Sequence, residues 1–237
     1  PPGVGVGALP SEGGAVMADR KKEFVRLIEG AARRTSVMDA FGDAVHLMAL
    51  SLWAPLAPNR AAVEADYGAT RRKYADGDLD AFARALSIVV EELKETRKEF
   101  LGAILERIGA ANKAGGQFLT PRAVGAAMAL AEADECARGH VPGKVIRIGD
   151  MACGASVLLV ELAERLIACG VPQRDILVIA GDVDQRACDM SYVELSLLGY
   201  AAKVEHRDAL AASDYSPPRY TAGYFLHSMP LREGACA

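Results

Sequence analysis

Three aspartates in the second half of the chain share one setting. Asp150 ends "KVIRIGD", Asp182 lies in "ILVIAGDVD", and Asp208 ends "AAKVEHRD". Short apolar runs of this kind, alternating with helix-patterned stretches, describe parallel strands whose carboxyl ends carry charge. In an open parallel sheet, ligands bind beyond those ends. A carboxylate there can accept hydrogen bonds from a diol or an amino group, and it attracts a cation. The turn after Asp150, "DMACGAS", offers backbone N–H groups at a helix start, and Gly154 permits close approach. A dinucleotide pyrophosphate requires G-x-G-x-x-G at this point. Here the turn holds only Gly154, and the acid beside it would repel a phosphate.

Such a corner suits a nucleoside with a positive centre, such as the sulfonium of S-adenosylmethionine (SAM), better than NAD. Asp182 is then placed for the ribose diol and Asp208 for the adenine amino group. A competing reading makes Asp150 and Asp182 the N-caps of the helices that follow. Three acids on three successive strand ends weigh against it.

The elements around these acids follow from periodicity. "RAVGAAMALAEADECARG", "VLLVELAERLIACG" and "QRACDMSYVELSLLG" are helical, with Gly170 stopping the second, and "RYTAGYFLHSMP" reads as a fourth strand. The alternation predicts a Rossmann-like α/β fold with a doubly wound, mainly parallel sheet. Upstream, only helical spacing appears. Helices fit "KKEFVRLIEGAARR", "SVMDAFGDAVHLMALSLWA", residues 59–75 and residues 79–108, with Asp76-Gly77-Asp78 as a turn. The predicted organisation is a Gly/Pro-rich disordered tail over 1–17, an all-α domain over 18–113, and a C-terminally short α/β domain over 114–237.

Composition narrows the classes. Hydrophobic residues make up 51% of the 237 positions, enough for a sizeable core, and the net charge is −4. There is no overall basic field of the kind a self-sufficient nucleic-acid binder carries. The five cysteines are scattered and never form C-x-x-C, which argues against a zinc site or disulfide framework and for a reducing cytoplasm. No apolar run reaches the roughly 18 residues of a membrane span. His46, between Val45 and Leu47, reads as a satisfied core residue, and Cys153 as a packing residue. The basic runs "GAARRTS" and "ATRRKY" suit either phosphate contacts or solvated helix faces.

The letters also carry a family likeness. "GQFLTP" (Gly116 to Pro121), "DMACGAS", "GDVD" and "RDAL" stand in order, with 29, 32 and 26 positions from Pro121 to Asp150, Asp182 and Asp208 in turn. This series resembles the N6-adenine DNA methyltransferases, in particular the modification subunits of type I restriction systems. The resemblance implies SAM as cofactor. It implies Gln117, Phe118, Thr120 and Pro121 closing over the methionine part, and Asp150, Ala152, Cys153 and Gly154 forming the turn. Asp182 with Val183 would serve the ribose, and Asp208 with Ala209 the adenine ring. It implies DNA as substrate, reached through a partner recognition subunit in a homo- or hetero-oligomer, with neither a metal nor a membrane involved.

The family's catalytic signature, (N/D/S)-P-P-(Y/F), has two competitors. "SPPR" (Ser216 to Arg219) lies eight positions after Asp208 and reads as a loop; "SMPL" (Ser228 to Leu231) lies 20 positions after it and has the right place. Ser228 and Pro230 are therefore the catalytic candidates, although the first proline and the aromatic are missing. Ser156 and Val157 stand where the family has glycines. The alternative is a methyltransferase-like SAM-binding or regulatory protein without catalysis.

Overall fold

The structure is a computed structural model that describes residues 12–112 and 122–227. Five helices come first: α1 (Glu12–Ala31), α2 (Val37–Trp53), α3 (Arg60–Arg71), α4 (Asp76–Thr96) and α5 (Leu101–Asn112). Then follow α6 (Arg122–Arg138), β1 (Ile146–Asp150), α7 (Val157–Ala168), β2 (Ile176–Asp182), α8 (Gln185–Leu197) and β3 (Ala201–Asp208). Two short strands, β4 (Ser213–Asp214) and β5 (Arg219–Tyr220), and a short helix, α9 (Ala222–His227), complete the described chain.

β1, β2 and β3 pair in parallel in that spatial order, joined by the crossover helices α7 and α8. The central strand, "ILVIAGD", is buried along most of its length, which is why it is a nearly continuous apolar run without alternation. Ile146 is in register with Ile176, and Leu177 with Ala201, so all three strands point their acid-bearing ends the same way.

The helices before the sheet pack on its crossover helices, α2, α4 and α5 against α8 and α6 against α7. One contiguous apolar cluster runs from Phe24 on α1 through Phe41, Phe82 and Phe100 to Val178 and Val204 in the sheet. Trp53 on α2 meets Tyr192 on α8 edge-on at 6.1 Å between ring centroids, and Phe24 meets Phe100 the same way at 5.9 Å.

The structure differs from the sequence expectations at four places. α1 begins at Glu12, inside the stretch expected to be a disordered tail, because extending an existing helix costs far less than nucleating one. The helix expected over 79–108 is two helices. Arg97 adopts a left-handed φ of 50° between α4 and α5, and its guanidinium reaches Glu164 on α7 at 2.8 Å. Asp76-Gly77-Asp78 is not a free turn but the first turn of α4, where the Asp78 carboxylate accepts the Ala75 N–H at 3.2 Å.

The fourth difference concerns the expected strand "RYTAGYFLHSMP". Arg219 and Tyr220 pair antiparallel with Val204 and Lys203 on the outer edge of β3, and the chain then turns into α9. Thr221 causes the change: its hydroxyl donates to the Tyr200 carbonyl at 2.6 Å and accepts the Tyr224 N–H at 3.3 Å, as a helix N-cap does. Gly223 completes the docking, since a Cβ there would lie 2.5 Å from the Tyr200 carbonyl oxygen. α9 is thus anchored at the amino end of β3, away from Asp208. Among the described residues, the far edge of β1 carries no strand.

Candidate functional site

Strand register sets the geometry of the acids. Asp150 aligns with Ala180, two residues short of Asp182, and Asp182 aligns with His206, two residues short of Asp208. Each carboxylate therefore stands about 6.6 Å further along the sheet than the last. The three half-buried acids form a staggered row across the carboxyl ends of β1, β2 and β3.

The turn between β1 and α7 is held from within. Asp150 accepts the Ala152 N–H at 2.9 Å, the Gly181 carbonyl accepts that of Cys153 at 2.9 Å, and Asp182 accepts that of Gly154 at 2.9 Å. The Ser156 N–H goes to the Cys153 carbonyl at 2.8 Å. The expectation that this turn presents N–H groups to a ligand is thereby corrected: these four donors are spent on the protein's own oxygens. A phosphate cradle needs them aimed outward. Here they are turned to carboxylates and carbonyls of the protein itself.

Gly154 and Ser156 both take left-handed φ values, 54° and 61°. For glycine this costs little; for serine it costs about 1 kcal/mol. Buried hydrogen bonds hold Ser156 in place, its hydroxyl donating to Ser191 Oγ at 2.7 Å while Ser191 donates to the Gly154 carbonyl at 3.0 Å. Cys153 lies beside them with Sγ 3.4 Å from Ser191 Oγ, and burial pushes its thiol up to about 12. At neutral pH it is a packed thiol and not a nucleophile.

Asp182 also accepts the Asp184 N–H at 2.9 Å, and Asp184 in turn accepts that of Arg186 at 2.8 Å. The N-cap of α8 is therefore Asp184, and that of α7 is Ser156, which makes no side-chain cap bond. Neither Asp150 nor Asp182 caps a helix. Asp208 closes a tight turn, accepting the N–H groups of Leu210 and Ala211 at 2.9 Å each. Val183 and Ala209 are exposed at these tips, and His206 Nε2 lies 3.1 Å from the Val183 carbonyl.

Eight sequence candidates are brought to this end of the sheet: Asp150, Ala152, Cys153, Gly154, Asp182, Val183, Asp208 and Ala209. Gln117, Phe118, Thr120, Pro121, Ser228 and Pro230 lie outside the described residues. Just past the first of these segments, Gly125 on α6 fits against the start of α7, where a Cβ would lie 3.1 Å from Val157 Cγ1.

Sequence reasoning missed two charged groups that support the site. Glu194 on α8 accepts the N–H groups of Phe100 (2.9 Å) and Leu101 (2.6 Å), while Glu99 accepts those of Gly102 and Ala103. Two buried carboxylates thus satisfy four N–H groups at the start of α5. Burial pushes both up, Glu99 to about 7 and Glu194, with the Glu99 charge adding to the effect, well above the usual carboxylate range. The same helix start touches the turn: a Cβ on Gly102 would lie 2.7 Å from the Ala155 Cβ.

The second group centres on Asp189 of α8, buried where α2, α8 and β5 meet. His46 Nδ1 lies 2.7 Å away, Gln185 donates at 3.0 Å, and Arg219 donates from β5. Burial opposes the charge on Asp189, but the bonds from His46 and Arg219 hold it below the usual range. His46 is held above its ordinary value: burial lowers it, and Asp189 more than offsets that. His46 is satisfied, with Asp66 on its other nitrogen at 3.1 Å. No sequence signal links these positions, because the pairing is between distant elements.

No protein-family model matches the chain, and no curated protein matches its sequence. Among solved structures, the fold is similar to a protein from Listeria monocytogenes described as a class I S-adenosylmethionine-dependent methyltransferase. The TM-score is 0.50 at 19% identity, covering 84% of this chain and 56% of that one. The chain thus spans little more than half the length of that structure. The likeness establishes the fold: a mixed α/β chain built on the parallel sheet of class I methyltransferases.

Proposed function

We propose that the chain binds SAM across the tips of β1, β2 and β3 and belongs to a cytoplasmic, DNA-directed adenine-N6 methyl-transfer system. The observation that carries the cofactor reading is the row of Asp150, Asp182 and Asp208 beside a turn whose N–H groups at Ala152, Cys153, Gly154 and Ser156 point inward. The donor set fits the cofactor. Each oxygen of Asp182 holds one N–H and retains a lone pair for a ribose hydroxyl. Exposed Val183 offers an apolar flank for a purine. A phosphate would meet three carboxylates.

SAM supplies an electrophilic methyl group when bound. The chain's contribution is positioning. Asp150 would set the electrostatics at the cationic end, Asp182 would fix the ribose, and Asp208 would read the adenine. Gln117 to Pro121 would cover the methionine part and exclude water. Ser228, with Pro230 shaping its loop, would accept a hydrogen bond from N6 of an adenine turned out of its stack. Holding that amine in line is the main effect required of the protein. Adenine as target rests on the family resemblance of "GQFLTP" and "DMACGAS".

One observation favours the second reading, a SAM-binding protein without catalysis. "RYTAGYFLH" folds onto the amino end of β3, so the segment that leads to Ser228 does not run as a parallel strand beside β1. Transfer of radiolabelled methyl from SAM to adenine in duplex DNA separates the two, with and without a DNA-recognition subunit. Label on adenine supports catalysis. SAM binding with no transfer in either setting supports the second reading.

A further inference from the structure

A cleft with a volume of about 1060 Å³ lies beside the candidate site. It opens at one end of the helical layer, where the α1–α2 loop and the α3–α4 joint face the first turn of α8. Asp184, on its wall, is two residues past Asp182. Both basic runs noted in the sequence arrive here: Arg33 and Arg34 from "GAARRTS", Arg72 and Lys73 from "ATRRKY". Arg186 joins them from α8.

The cleft also contains aspartates, and these are already occupied. Asp43 takes Lys73 at 2.9 Å and the Tyr74 hydroxyl at 2.8 Å. Asp39 is engaged by Ser36 at the start of α2 and also feels the Arg186 charge, Asp184 accepts the Arg186 N–H at 2.8 Å, and Asp78 accepts the Ala75 N–H with Arg33 at 3.7 Å. Asp189 is neutralised by His46 and Arg219. What remains is cationic: among the described residues, Arg34, Arg72 and Arg186 have no ion-pair partner within 4 Å. A protein with a net charge of −4 thus gathers three guanidiniums in one cleft, where they can contact an anion. Guanidinium forks match phosphate oxygens in geometry.

We propose that this cleft holds the phosphate backbone of the DNA strand that carries the acceptor base, with Arg34, Arg72 and Arg186 as the phosphate contacts. The inference rests on the SAM-dependent DNA reading above. It adds the path of the strand: along the end of the helical layer and past Asp184 to the strand tips. The cleft would supply part of the affinity that the acidic chain as a whole lacks.

Anisotropy of a fluorescently labelled DNA oligonucleotide tests this, using the full chain at several salt concentrations, with SAM affinity measured separately by calorimetry. The double variant Arg34→Glu/Arg72→Glu is expected to bind DNA at least about tenfold more weakly, with a salt dependence shallower by about two phosphate contacts. Arg34→Lys/Arg72→Lys should recover most of the loss. SAM affinity and melting temperature should be unchanged in both, because these side chains are exposed. Equal DNA binding by wild type and the Glu variant would overturn the proposal. So would tighter binding of an RNA of the same sequence, or no DNA binding by a chain that binds SAM. Arginine-dependent DNA binding by a chain that fails to bind SAM would support the cleft and sink the cofactor reading instead.

Discussion

The Asp182 carboxylate accepts the backbone N–H of Gly154 at 2.9 Å, so the acid at the tip of β2 holds the turn that leaves β1. One side chain thereby fixes the distance between the two halves of the candidate ligand shelf. The same residue is expected to face the ribose, which makes it both a positioning residue and a ligand.

Asp182→Ala therefore affects more than binding. It strips the acceptor from the N–H groups of Gly154 and Asp184 and should cost about 1–3 kcal/mol. Urea unfolding measures that loss. Amide exchange should rise at Gly154 and Asp184 ahead of the rest of the sheet.

Asp189→Asn leaves His46 and Arg219 facing a neutral amide in a buried site. The expected loss is about 3–5 kcal/mol, whereas Asp66→Asn, on the exposed side of His46, should change stability by less than about 1 kcal/mol. The two partners also set a pH window. Stability from protonated His46 is complete below its unfolded value of about 6.5 and is lost as pH rises through the higher folded value. Stability from ionised Asp189 is complete above about 3.9 and is lost as pH falls through its lower folded value. Urea midpoints across pH should show both limbs in wild type and neither of these contributions in Asp189→Asn.

Glu99 and Glu194 act in the opposite direction from an ordinary paired carboxylate. Their folded values are raised, so the unfolded chain releases these protons first. The associated stability is complete below about 4.3 and is lost as pH rises through the folded value of Glu99, about 7. Glu194→Gln keeps an acceptor for Phe100 and Leu101 while removing the charge. Its urea midpoint should fall less steeply with pH than that of wild type between those limits.

Gly102→Ala should destabilise by about 1–3 kcal/mol, although alanine is the better helix former. The new Cβ would sit 2.7 Å from the Ala155 Cβ and 2.6 Å from Glu99 Oε1, so either the turn or the cap must yield. SAM affinity should fall with it. Gly30→Ala, where a Cβ meets nothing within 4 Å, is the control and should be neutral or stabilising. Thermal melts and SAM titration of the two variants make the comparison.

Much of the strand–helix alternation was legible because β1 and β2 are short, mainly apolar runs and all three strands end at an acid. "KVIRIGD", "ILVIAGDVD" and "AAKVEHRD" became β1, β2 and β3, and their acids stand in one row. "RYTAGYFLH" misled because its aromatic residues suit a strand, while a single capping hydroxyl on Thr221 turns the chain into α9. The break at Arg97 was hidden too, since its left-handed turn is held by Glu164 on a distant helix. Long-range partners leave no local signal. For the same reason the carboxylate pair under α5, the Asp189 cluster and the meeting of two basic runs in one cleft appear only in three dimensions.

Calorimetric titration of SAM into the full chain tests the central claim most directly. The account predicts saturable one-site binding that Asp150→Ala/Asp182→Ala weakens by at least about tenfold, with NADH giving no heat. Absence of SAM binding by the wild-type chain, or SAM binding indifferent to the loss of both carboxylates, would contradict it.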